Sequence, residues 1–217
     1  MKVANFKEHV KGIYKEQWIS FKNYYWKYFV IMLLLFIFSS LGVYYLVKNN
    51  EELVLSVMKE ILTLFEEKNL LSPDQTSLQL AYGLFLNNSL ASLLIFLTGI
   101  IPIFLPSIGI IVLNGGIIGI VLAFINMTGQ SVASTLFASV VPHGIFEIPA
   151  IVLSGALAFY VTIGIYRKIN DANFSFKQVL WNACKTFIFV CIPLLILAAS
   201  IEAFITPWIM DQFLSQP

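Results

Sequence analysis

Between Gln75 and Tyr166 only one side chain carries a formal charge: Glu147, within Pro142-His143-Gly144-Ile145-Phe146-Glu147-Ile148-Pro149. A stretch this long and this free of charge offers water almost nothing, and it is several times the roughly 20 residues that one helix needs to cross a bilayer. It therefore predicts a set of membrane-embedded helices with a carboxylate among them. An ionisable group at that depth costs about 2.5 to 3.5 kcal/mol on insertion scales, so it needs a partner or a purpose. His143, four residues earlier on the same helical face, is the nearest candidate.

The rest of the composition agrees. Charged residues make up 12% and hydrophobic residues 59% of the 217 residues, against a soluble average of about 25% charged. The expectation is an all-α fold: a polytopic membrane helical bundle with no room for a separate catalytic domain. A net charge of +1 supplies no broad basic face, which argues against nucleic acid. Cys184 and Cys191 stand two turns apart in one apolar segment, too far apart to bridge, and read as core thiols.

Residues 1–27 place Phe6, Val10, Ile13, Phe21 and Tyr25 at helical spacing, with lysines elsewhere on the wheel. This predicts a cytoplasmic amphipathic arm, resting on anionic lipid or docking a partner. The membrane domain is expected over 28–210, with spans at about 28–47, 87–104, 107–127, 142–166 and 186–209. Six lysines and two glutamates precede the first span, whereas three lysines and six acids follow it up to Asp74. The positive-inside rule then puts the N-terminus in the cytoplasm and, with five spans, the tail 211–217 outside.

Residues 51–86 should hold external helices. The first has Leu53, Val54, Val57, Ile61, Leu64 and Phe65 on one face, and the second starts at Ser72-Pro73-Asp74-Gln75, with serine as cap. Leu105-Pro106 reads as the turn between the second and third spans. Gly129 to Val141 is too short to cross and reads as a re-entrant or interfacial segment. Gly115 and Gly119 form a GxxxG pair suited to close helix packing, with Gly116 and Gly144 as further packing glycines. Pro193 should kink the last span.

Threading the spans by charge brings Asn87, Asn88, His143, Glu147 and Glu202 toward the external leaflet, with Asn114 deeper. Three readings of this cluster stay open. The side chains fasten helices by hydrogen bonds; they line a substrate or ion path; or His143, Glu147 and Glu202 are catalytic, holding zinc with water at an open fourth position. The HxxxE spacing lacks the second histidine of HExxH. No GxSxG occurs, and Ser139 has no oxyanion hole beside it. No cofactor is expected by default, and zinc is the one that these residue types would take.

The string Pro142-His143-Gly144-Ile145-Phe146-Glu147-Ile148-Pro149-Ala150, together with Asn87-Asn88, Asn114-Gly115 and Ile201-Glu202-Ala203-Phe204-Ile205-Thr206-Pro207, resembles the stage II sporulation protein M family over about residues 28–210. The resemblance implies an integral protein of the bacterial cytoplasmic membrane with about five spans. It also implies one of several roles: recruiting peptidoglycan-degrading enzymes during engulfment, working beside an ABC ATPase, or serving circular-bacteriocin maturation, export or immunity. The sequence therefore points to a non-enzymatic scaffold or accessory protein that assembles membrane or cell-wall partners, or handles a small hydrophobic peptide, among membrane lipids. An intramembrane peptidase or cyclase at His143, Glu147 and Glu202, and a membrane subunit coupled to an ABC ATPase, are the alternatives. A homo-oligomer stays open.

Overall fold

The computed structural model describes residues 2–68, 70 and 75–214, and the side chains within 8–68, 70 and 75–213. Among these residues every regular element is helical. Five helices are long and apolar enough to cross a membrane: Glu8–Val47, Ser77–Ile100, Leu105–Met127, Val141–Asn170 and Phe176–Phe204.

The chain opens with α1 (Lys2–Ser20), runs through a π-helical turn at Phe21–Tyr25 and continues as α2 (Trp26–Val47). The expected arm is thus the unbroken N-terminal extension of the first span rather than a separate helix. No proline and no turn-forming pair lies between them to end the ladder. The arm also packs on its own chain. The Thr186 hydroxyl donates to Gln17 Oε1 at 2.7 Å, both residues are buried, and Lys185 lies 3.9 Å from Glu16. Ile13 and Phe21 are half-buried and Tyr25 fully so, as their spacing predicts. The side chain of Phe6 lies outside the described residues.

Helix α3 (Glu51–Glu67) begins where Asn50 Oδ1 accepts the Leu53 N–H at 3.1 Å, with Glu51 and Glu52 favourably placed in its first turn. Its inward face is narrower than the sequence predicts. Val54 is buried, and Val57, Met58 and Ile61 pack with Val47, Ile120 and Ala123, but Leu53, Leu64 and Phe65 are exposed.

Helix α4 (Ser77–Leu97) is capped by Thr76 and Gln79 in a reciprocal box. The start predicted at Ser72-Pro73-Asp74 lies outside the described residues, and Gln75 is not helical. Helix α4 also ends earlier than expected, at a short 3₁₀ turn over Thr98–Ile100.

The reversal accordingly sits at 101–104, and Leu105-Pro106 opens α5 (Leu105–Met127), where proline's missing N–H is no loss. Helix α7 (Val141–Asn170) satisfies carbonyls at this reversal. The Thr162 hydroxyl donates to Gly99 O at 3.0 Å, and the Tyr166 hydroxyl donates to Pro102 O at 2.6 Å. Gly99 makes the approach feasible, since a Cβ there would meet Ala158 O at 2.5 Å.

Helix α5 packs most extensively on α2. A Cβ at Gly115 would stand 2.5 Å from Phe36 O, and one at Gly119 would collide with Ser40 O. Gly116 meets only side chains at ordinary contact distance, and Gly144 touches only its own helix. Neither is a packing glycine of the GxxxG kind.

The segment read as re-entrant or interfacial is a single short helix, α6 (Val132–Ser139), reached through Gly129 at φ 75° and capped by Ser131. After the α7 span, the most buried of the five, come α8 (Phe176–Thr186), a π-helical turn at Phe187–Cys191, and α9 (Ile192–Phe204). The last crossing thus begins ten residues before the predicted 186 and stops at Phe204. The π-helical turn lies just ahead of Pro193, where a regular helix would set the ring against a carbonyl one turn back. The chain then breaks at Ile205 and forms α10 (Thr206–Leu214), so the predicted tail is helical as far as Leu214. Cys184 and Cys191 are free thiols.

Two substitutions test this packing. Gly119→Ala should lower stability in detergent by about 1 to 3 kcal/mol through overpacking against α2, whereas Gly116→Ala should be nearly neutral in the same thermal melts. Thr162→Val, which leaves the Gly99 carbonyl short of a partner, should cost about 1 to 3 kcal/mol.

Candidate functional site

Helix α7 carries His143 and Glu147 one turn apart near its start, and the end of α9 brings Glu202 to them. Ligand-capable atoms of these three side chains lie within 4.8 Å of one another. The meeting follows from local sequence. The i, i+4 spacing puts the first two on one face, and α7 and α9, packed along their length, run in opposite directions. The first turns of one therefore meet the last turns of the other.

Two neighbouring cavities share this cluster. One, of about 340 Å³, is bounded by Phe36, Ile61, Leu64 and Ile118 on its apolar side and reaches Asn114. The other, of about 440 Å³, is closed by Leu80, Leu84 and Met210 and reaches Glu202 and Thr206. Phe65, Asn87, Asn88, His143 and Glu147 border both. The predicted polar residues are thus all present, with Asn114 opening only onto the first cavity and Glu202 only onto the second.

The hydrogen bonding of this group differs from that of the rest of the bundle. Lys68 Nζ donates to Asn87 Oδ1 at 2.7 Å, and Asn87 Nδ2 donates to Asn88 Oδ1 at 3.1 Å, which gives a short relay along the rim. Asn114 turns back on its own helix, donating to Ile110 O at 2.8 Å. His143 Nδ1 is buried without a hydrogen-bond partner, as are the hydroxyls of Thr206 and, on α4, of Ser89 and Ser92. Among the described residues no lysine or arginine pairs with Glu147 or Glu202. Fastening by cross-helix hydrogen bonds occurs elsewhere, at Ser39 to Val112 O, Thr162 to Gly99 O and Thr186 to Gln17. At His143, Glu147 and Glu202 it does not.

Ser139 lines the second cavity, but its hydroxyl donates to Thr135 O at 2.6 Å rather than to His143. It is not an activated nucleophile. Lys68 and Thr206 are the members that sequence reasoning missed. Lys68 is one charge in an acidic run, and only the folding of α3 against the bundle brings its exposed ammonium to Asn87. Thr206 lay within a matching motif, Ile201-Glu202-Ala203-Phe204-Ile205-Thr206-Pro207, but no spacing rule ties it to Glu202 across the break at Ile205.

Chemically, a pair of carboxylates and an imidazole facing a partly apolar cavity can take up a cationic or proton-donating group, exchange a proton, or ligate a metal ion. The uncommitted nitrogen and carboxylates are what any of these would use.

An uncharacterized protein of Methanocaldococcus jannaschii is 28% identical to this chain over 142 residues, which cover 64% of the chain and 78% of that protein. No solved structure matches the chain at a significant level. The stage II sporulation protein M family matches residues 28–207, a range that contains all five crossing segments except the start of the first, along with the His143, Glu147 and Glu202 cluster. With most of its length matched and five helices able to cross, the chain is a membrane protein belonging to the stage II sporulation protein M family.

Proposed function

We propose that the protein is a non-enzymatic accessory protein of the cytoplasmic membrane that receives an apolar segment of a partner, a small hydrophobic peptide or a protein tail, in the cavity beneath α3. The observation that carries this reading is a cavity with one apolar wall and one polar wall, on which His143 Nδ1 and the Glu147 carboxyl make no hydrogen bond among the described residues. Such a combination holds an apolar chain along one side and orients its backbone or terminal polar groups on the other. Burying polar groups unpaired costs free energy, so a cavity kept this way is better accounted for by a ligand than by packing. The charge asymmetry along the chain supports an outward-facing cavity with the N-terminus inside. Cell-wall enzymes and an ABC ATPase remain partner classes of the same reading, to be identified by what the cavity captures.

A second reading, peptide cleavage or cyclisation, is favoured by one specific observation, the approach of His143, Glu147 and Glu202 to within 4.8 Å. It would use the same cavity.

Photo-crosslinking in native membranes tests the proposal. A benzophenone side chain at Leu64, on the cavity wall, should yield a discrete heavier adduct, whereas the same group at the outward Leu113 should yield none. Identical patterns at the two sites, or self-adducts alone, would refute a partner-receiving cavity. Glu147→Gln, checked for folding by size-exclusion profile, should keep the adduct and the cellular phenotype. If the adduct persists while a processed peptide disappears, the second reading replaces the first. Orientation is checked separately: a cysteine placed at Leu64 in a chain lacking Cys184 and Cys191 should react with an impermeant maleimide on intact cells, and failure to react would reverse the topology.

A further inference from the structure

We infer that His143, Glu147 and Glu202 form a binding site for a first-row divalent metal ion of the zinc type. The site stands apart from the partner-receiving reading, because the three side chains could hold an ion whether or not the cavity admits a peptide.

The geometry is close to what such an ion requires. Zinc bonds imidazole nitrogen and carboxylate oxygen at about 2.0 to 2.2 Å, so its ligand atoms stand a little over 3 Å from one another. The three side chains already bring ligand-capable atoms within 4.8 Å, and rotation of the ends of Glu147 and Glu202 would close the rest.

An independent observation also points to a ligand. His143 Nδ1 is buried and makes no hydrogen bond among the described residues, an unusual state for an imidazole inside a bundle. No lysine or arginine balances the two carboxylates there. A divalent cation bound through Nδ1 would balance both charges and supply the missing partner for the imidazole in one step. Lys68, the nearest cationic member of the wall, is engaged with Asn87 instead.

The donor set narrows the choice of ion. One nitrogen and two oxygens from carboxylates suit zinc, iron(II) or manganese better than magnesium or calcium, which favour all-oxygen shells. The thiols take no part: Cys191 sits in the middle of the last crossing, eleven residues before Glu202, and Cys184 lies farther still toward its start. Three protein ligands would leave a fourth tetrahedral position open, and the three residues line a cavity that Thr206 also borders. An oxygen ligand, water or a carboxyl or carbonyl group of a guest, fits there.

The test uses full-length protein purified in detergent through a tag without histidine and never exposed to chelator. Elemental analysis should find about one zinc per chain, and titration of stripped protein with zinc chloride should show one saturable site. Removing a ligand should weaken it at least as much as loss of an outer-shell partner does, about 10- to 100-fold. His143→Ala, Glu147→Gln and Glu202→Gln should each do so, while Asn114→Ala, which borders the cavity without reaching the cluster, should bind as the parent does. Cobalt(II) in place of zinc should give the strong visible bands of a tetrahedral site, lost in His143→Ala. Binding equal in the parent and all three ligand variants, each still monodisperse on size exclusion, would mark an adventitious ion only and overturn the assignment. So would less than a tenth of an equivalent of any metal in the parent together with no saturable titration. Either failure leaves the crosslinking result at Leu64 standing on its own.

Discussion

Backbone hydrogen bonding without water is the constraint on which this bundle depends. Inside a bilayer each carbonyl and N–H must find its partner in the chain, and side chains extend that pairing to carbonyls at a reversal between spans. The turn from α4 to α5 shows how this is done. It carries no charge, yet Thr162 and Tyr166 of α7 donate to its carbonyls while Gly99 lets α7 come close enough to reach them. Helix α7 thereby becomes the element that the other spans are built around, which is why it is the most buried of the five.

The same accounting makes the polar cluster stand out. Most hydroxyl and amide groups in the bundle are committed, many of them to a carbonyl one turn back, as with Ser154 to Ala150 O and Ser200 to Ile196 O. At the end where α7 begins and α9 finishes, an imidazole nitrogen and two carboxylates are left without such partners and open onto cavities instead. A polar group kept uncommitted in an apolar setting lowers stability, and the cavity beside it offers the return: a guest or an ion can complete what the fold leaves open.

Much of this was legible in the residues themselves. The lone charge at Glu147, its i, i+4 relation to His143 and the charge alternation across the spans together placed Glu202 at the same depth, and that chain of reasoning needed only helical periodicity and antiparallel threading. Boundaries were less legible where apolar residues run on without a break. Thr76 and Gln79 form their box because of how the chain enters α4, and nothing in their spacing sets them above the cap predicted at Ser72. The π-helical turns at Phe21–Tyr25 and Phe187–Cys191 have no sequence code of their own. The first lets α1 continue into α2, and the second precedes Pro193. No spacing rule ties Lys68 to Asn87; the pair forms only because α3 folds against the bundle.

By itself the sequence determined that this chain is a helical membrane protein with about five crossings, and that one carboxylate among them would require an explanation. Periodicity, charge and length act locally, and a bilayer enforces them strictly. Only the tertiary structure decided which glycines matter, that the arm grips Thr186 through Gln17, and that the cluster is left unbonded beside two cavities. Those outcomes depend on helix-to-helix approach of a few tenths of an ångström and on which side chain reaches a given carbonyl first. Neither is written in the spacing of residues along one helix.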